Sequence, residues 1–153
     1  MRPGLFGKLP AHGDFINRGL EVPLRKALDY WLTSQIGQQP LPAGGLRARL
    51  TLGGKPIFAV IVASRDKRGR IFPIASVVQD TGQDLQVINQ WCDVTAEMLG
   101  EAISDATEAD TLIQTLPPAP TGPAGSSQRA DILWQRDQAP QPLATALAAL
   151  NSD

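Results

Sequence analysis

The chain has a single cysteine, Cys92, among its 153 residues, so an internal disulfide and a cysteine-rich zinc site are both excluded. Histidine is equally scarce, with His12 alone, and aromatic side chains make up only 5% of the sequence. The longest apolar run, IFAVIVA from Ile57 to Ala63, is far too short to span a bilayer. The opening MRPGLFGKLP has no apolar stretch leading to a small-residue cleavage site, so the expectation is a cytoplasmic protein without a signal peptide. At 42% hydrophobic and 19% charged residues, the composition is that of one globular domain covering 1–153.

Cations are sparse in the second half. Residues 1–75 hold 12 of the 14 Lys and Arg but 4 of the 15 Asp and Glu, a surplus of +8, whereas residues 76–153 carry −9. Such asymmetry either marks a basic face for an acidic partner or cancels when the halves pack together. The second reading is preferred, because a folded domain interleaves its halves. No aromatic residues alternate with the basic cluster as stacking platforms, which argues against nucleic acid.

Hydrophobic periodicity supplies the elements. VPLRKALDYWLTSQI reads as a helix: Pro23 suits its first turn, and Leu24, Ala27, Leu28, Trp31, Leu32 and Ile36 recur on one face before Gly37 stops it. LRARLTL alternates, sending Leu46, Ala48, Leu50 and Leu52 one way and Arg47, Arg49 and Thr51 the other, which predicts a half-buried strand. IFAVIVAS is uniformly apolar, as a central strand covered on both faces would be. It joins IFPIASVV through RDKRGR, a hairpin with Gly69 as the candidate for positive φ, and Pro73 places the second strand near an edge or at a bulge. A long helix follows from Asp84 to about Ser104 with Leu85, Ile88, Trp91, Cys92, Met98, Leu99 and Ile103 as its buried stripe. TEADTLIQTL predicts a short helix with Thr107 as N-cap. Residues 117–127 form a Pro/Gly-rich surface linker, ADILWQR a last strand and QPLATALAAL a terminal helix. Helices before and after a meander of strands give the α+β class: an α/β sandwich with a largely antiparallel sheet flanked by helices.

The opening stretch GLFGKLPAHGDF invites a chemical reading. A phosphate loop fails, because Leu9 and Pro10 follow Lys8 where Ser or Thr and a helix are needed, and a dinucleotide fingerprint lacks its spacing. A nucleophile such as Ser34 or Ser64 would need His12 brought to it in space, and G-x-S-x-G is absent. His12 with Asp14 and Asp66 is a weak metal hint, and Cys92 lies on a buried helix stripe, where thiols are inert. No cofactor or metal is expected. Structurally the stretch makes sense: Gly4, Gly7 and Gly13 permit tight passages, Leu5, Phe6, Leu9, Phe15 and Ile16 supply core contacts, and Asp14 caps backbone N–H groups or pairs with Arg18 or Arg70.

GLFGKLPAHGDFINRGL followed by the Trp-bearing helix LDYWLTSQI resembles the signature of the TagF family of type VI secretion-associated proteins. FAVIVASRDKRGRIFPI is similar to a second block of that family, with Asp66, Gly69, Arg70, Phe72 and Pro73 in matching places, and ADILWQR to its late Trp-bearing segment. The resemblance implies an intracellular accessory protein that restrains type VI secretion after translation, engages a forkhead-associated scaffold protein and has no catalytic activity of its own.

Two functional expectations follow. In the first, Lys8, Asp14, Arg18, Asp66 and Arg70 form a polar cluster where the opening loop meets the 65–70 hairpin, ordering the loop and presenting a charged surface to the partner, with Asp14 as the docking residue. A cluster that only braces the fold is the plainer version of the same geometry. In the second, His12, Asp14 and Asp66 converge in one pocket as a small hydrolase or ligand-binding enzyme.

Overall fold

Every alternating or apolar run of the sequence enters one sheet. In the computed structural model, which describes residues 2–121 and 130–151, the strands are β1 (Gly4–Gly7), β2 (Ile16–Arg18), β3 (Leu46–Leu52), β4 (Lys55–Val62), β5 (Ile74–Gln79), β6 (Ile132–Gln135) and β7 (Gln141–Pro142). They lie in the order β2-β1-β5-β4-β3-β6-β7, and each neighbouring pair is antiparallel. The helices are α1 (Val22–Trp31), α2 (Leu85–Asp105), α3 (Ala109–Thr115) and α4 (Leu143–Leu150). The α+β sandwich expected from the sequence is what forms.

Successive side chains of a strand point to opposite faces, and here both faces are covered. On one, Leu5, Phe58, Val60 and Val78 pack with Ile88, Trp91, Cys92 and Leu99 of α2 and Leu112 of α3. On the other, Phe6, Ala48, Leu50, Ala59 and Ile61 pack with Leu24, Leu28 and Trp31 of α1. Each fully buried side chain of this size contributes about 1.5–3 kcal/mol. That double coverage corrects the reading of β3. Arg47 points away from Leu46 and Ala48 as the alternation requires, but α2 lies over it and leaves it 1% exposed. Arg49 is half-buried and Thr51 exposed.

Other boundaries shift for local reasons. The first helix ends in a π-helical segment, Leu32–Ile36, closed by the Gly37 N–H donating to the Leu32 carbonyl at 2.8 Å. The β4–β5 hairpin forms with Gly69 at φ +85°, as its turn requires. Pro73, however, marks neither an edge nor a bulge: β5 lies inside the sheet between β1 and β4, and Pro73 stands just before it, its carbonyl accepting from the Lys8 N–H at 3.3 Å. Gly7 passes so close to that carbonyl that an added Cβ would sit 2.1 Å from it. Asp84 caps α2 by accepting from the Gln86 N–H at 3.1 Å. Thr107 does not cap α3. The N-cap is Glu108, whose side chain accepts nothing, and the Ala109 N–H goes instead to His12. The short β2 and β7 have too few residues to show a period, so the sequence did not announce them. Within the 117–127 linker, residues 117–121 have no regular structure and the remainder lies outside the described residues.

Candidate functional site

Chain reversal at β1 and at the β4–β5 hairpin brings two loops together: residues 8–15, between β1 and β2, and the turn 65–70. Their backbones are stitched by the Lys67 N–H donating to the His12 carbonyl at 2.7 Å and by Ser64 Oγ donating to the Lys8 carbonyl at 2.7 Å. At the centre is Asp66, its side chain fully buried. Its Oδ1 accepts the N–H groups of Arg68 and Arg70, both at 2.9 Å. Its Oδ2 accepts Arg70 Nε at 2.7 Å and faces Lys8 Nζ at 3.3 Å. The Arg70 guanidinium also donates to the Gly13 carbonyl at 2.7 Å, so one arginine ties the turn to the opening loop.

Burial works to raise the Asp66 carboxyl. The Arg70 N–H and guanidinium, the Arg68 N–H and the Lys8 ammonium outweigh it and bring the group down to about 2. It is therefore a carboxylate with every lone-pair direction answered, a poor proton acceptor and a strong brace.

Above this brace lies an aromatic group. Phe15 stacks on Phe6 with centroids 5.8 Å apart, meets Phe72 edge-on at 4.9 Å and carries Lys8 Nζ 4.8 Å from its ring centre. Phe6 and Phe72 are buried, but Phe15 is 46% exposed, against the expectation that it belongs to the core.

Of the five residues expected in the cluster, the structure unites Lys8, Asp66 and Arg70. Asp14 stays outside: it is exposed, and its Oδ1 accepts the Phe15 N–H at 2.7 Å, because an Asp in a tight loop finds its own backbone before a distant cation. The loop docks through the Gly13 carbonyl, not through Asp14. Arg18 turns the other way and pairs with Asp110 of α3 at 2.5 Å. The set His12, Asp14 and Asp66 has three separate environments. His12 Nε2 accepts the Ala109 N–H at 2.9 Å, Asp14 is held by Phe15, and Asp66 by its cations. Among the described residues no three His, Cys, Asp or Glu side chains stand together as metal ligands would.

Sequence reasoning missed a second charged network. Arg47 of β3 donates to Asp93 Oδ1 at 2.5 Å and to Asn89 Oδ1 at 3.2 Å, and that same Asn89 oxygen accepts Trp134 Nε1 at 2.8 Å. Asn89 and Asp93, one helical turn apart on α2, were the available signal. Beside them burial pushes the Cys92 thiol up to about 12, with Arg47 opposing and Asp93 reinforcing, so this thiol is unreactive at neutral pH.

A family model matches the part of the chain that runs from β1 through the opening loop, β2, α1 and the π-helical segment. Residues 4–44 match the model of the TagF N-terminal domain, type VI secretion system-associated. Over that stretch the chain is similar to the TagF N-terminal domain. Lys8, Gly13 and Phe15 of the site fall within the matched segment. The fold has a counterpart in the crystal structure of PA0076 from Pseudomonas aeruginosa PAO1, with a TM-score of 0.65 at 22% identity, covering 97% of this chain and 76% of that one. At such identity the likeness concerns the fold. No curated protein matches this sequence. No helix among the described residues is long and apolar enough to cross a membrane.

Proposed function

We propose that the chain is a non-enzymatic, cytoplasmic regulator that represses type VI secretion after translation by binding another protein, a forkhead-associated scaffold of the secretion machinery. The observation that carries this reading is the TagF N-terminal match over residues 4–44, the segment that supplies the opening loop of the site. The chemistry of that loop agrees with it. His12 and Asp66, the groups best suited to move a proton, are occupied by an amide and by two cations. What the loop and the adjoining 65–70 turn leave outward is an aromatic ring from the first and basic side chains from the second, a surface suited to contact and not to turnover.

The test pairs a binding assay with a secretion assay in the source bacterium. The tagged full chain is expected to retain the forkhead-associated scaffold from the same secretion cluster, and deletion of its gene is expected to raise effector export. Retention of no scaffold together with unchanged export sinks the proposal.

A further inference from the structure

We infer that the tip of the β4–β5 hairpin, together with Phe15, is the docking surface, and that its occupant is an acidic face of a partner protein bearing an exposed apolar side chain. The inference deepens the reading of the chain as a binding regulator and rests on it for the identity of the partner, though not for the chemistry of the surface.

The turn 65–70 holds four cations, Arg65, Lys67, Arg68 and Arg70, and one anion, Asp66. The fold sorts them by sign. Asp66 is turned inward and occupied, while all four cations are exposed. Arg70 is partly engaged by Asp66, but no ion pair joins Arg65, Lys67 or Arg68 to an acid among the described residues. Asp14 is the exposed carboxylate of the adjoining loop, and it is turned to the Phe15 amide. The charge asymmetry of the sequence therefore does not fully cancel: part of the basic surplus collects at one tip.

Backbone accounting decides which anion fits. The N–H groups of residues 66 to 70 are all taken: Asp66 by the Arg70 carbonyl, Lys67 by the His12 carbonyl, Gly69 by the Asp66 carbonyl, and Arg68 and Arg70 by Asp66 Oδ1. The turn thus has no nest of free amides to enclose a single phosphate. It offers long side chains spread over six residues, which suit carboxylates distributed across a protein face. Phe15 supplies the apolar anchor. Phe6, Phe72 and the Lys8 ammonium hold its ring from three directions, so it loses little freedom on binding. A held, exposed aromatic ring two residues from the Gly13 carbonyl that Arg70 grips combines the residue types enriched at interfaces.

The experiment uses the full chain and the forkhead-associated scaffold. Lys67 and Arg68 have exposed side chains with no ion-pair partner among the described residues, so the double charge reversal Lys67→Glu/Arg68→Glu should fold, as circular dichroism will verify. It is expected to weaken scaffold binding at least ~10-fold and to flatten its salt dependence. Phe15→Ala is expected to weaken binding about 10-fold with the salt dependence retained. Arg25→Glu/Lys26→Glu, an equal charge change on α1, is expected to bind as wild type. A folded tip reversal that binds normally, or an α1 reversal that loses as much, overturns the inference. If the wild-type chain binds no scaffold, a labelled glutamate-rich peptide carrying one leucine serves as probe. Amide shifts confined to residues 13–16 and 65–71 then uphold the surface while the proposed partner falls, and their absence overturns both. Displacement of that peptide by a short DNA duplex at equal charge makes the tip a nucleic-acid surface and also overturns the inference.

Discussion

Beneath α2 a cation is buried and its anion half-exposed; at the opening loop the anion is buried and one of its cations exposed. Arg47 is 1% exposed and reaches Asp93, whose side chain is 40% exposed, whereas Asp66 is fully buried and paired with Arg70, whose side chain is 52% exposed. The two networks solve the same desolvation problem with opposite signs and unequal completeness. Asp66 has two amides and two cations for its two oxygens. Arg47 has Asp93 and Asn89, but its Nε finds no acceptor among the described residues. A fully answered carboxylate shapes the turn around it and drives the neighbouring side chains outward. An incompletely answered arginine mainly fastens helix to sheet, through Asn89 and Asp93 of α2 and, by the shared Asn89 oxygen, Trp134 of β6. The difference separates a brace that presents a surface from a brace that only holds one.

The largest effect that bears on this contrast is expected from Asp66→Ala. It leaves the Arg68 and Arg70 amides without their acceptor and Lys8, 8% exposed, without its anion. Melting temperature should fall by about 10 °C, with faster hydrogen exchange at residues 66–70. Asp66→Asn, which keeps acceptor capacity on one oxygen, should fall less. Equal melting of Asp66→Ala and wild type in a thermal scan refutes the brace.

Next comes the α2 network. Asp93→Ala strands a buried guanidinium and should cost about 2–3 kcal/mol in urea unfolding, less than for a fully buried pair because Asp93 is partly solvated. Arg47→Met removes the charge with the need for a partner and should cost no more than about half of that. If Arg47→Met is the worse of the two, Arg47 contributes packing that the ion-pair account leaves out.

How much of this was readable beforehand differs between the regions for a physical reason. The opening loop and the 65–70 turn are dense in residues with narrow uses, Gly69 for positive φ and Asp66 among cations, so their meeting was legible. Which carboxylate would make the junction was not, because Asp14 and Asp66 are chemically alike and only the path of the chain decides which faces inward. The α2 network was hidden by the pattern that revealed β3. Alternation correctly sent Arg47 opposite Leu46, but it cannot tell a solvent face from one that a distant helix covers. The half-buried role of His12 was equally invisible, since its partner is a backbone amide 97 residues away that no side-chain motif marks.

Acid should distinguish the networks more gently than substitution. The Asp66 carboxyl is depressed from 3.8 to about 2 in the folded chain. A group depressed by folding stabilises fully above its unfolded value and loses that contribution as pH falls through its folded one. The stability gap between wild type and Asp66→Asn should therefore be constant above pH ~5 and close progressively between there and pH ~1. Parallel acid titrations of wild type and Asp66→Asn, followed by urea midpoint, check this, and a gap that is undiminished at pH ~2 removes Asp66 as its source.

The smallest effect concerns the contact that joins the opening loop to α3. His12 Nε2 accepts the Ala109 N–H at 2.9 Å where a side-chain cap would ordinarily serve, and α3 has none of its own. His12→Ala should cost about 1 kcal/mol, the usual net value of one hydrogen bond. Its signature is local: hydrogen exchange should quicken at Ala109 and the first turn of α3 while residues 66–70 keep their protection. A global loss of protection would mean that His12 belongs to the Asp66 brace after all. Unchanged exchange at Ala109 would mean that Glu108 takes over the cap. A loss confined to α3 leaves the loop with two independent anchors, one to the turn through Arg70 and one to the helix through His12, and only the first bears on the surface that carries Phe15.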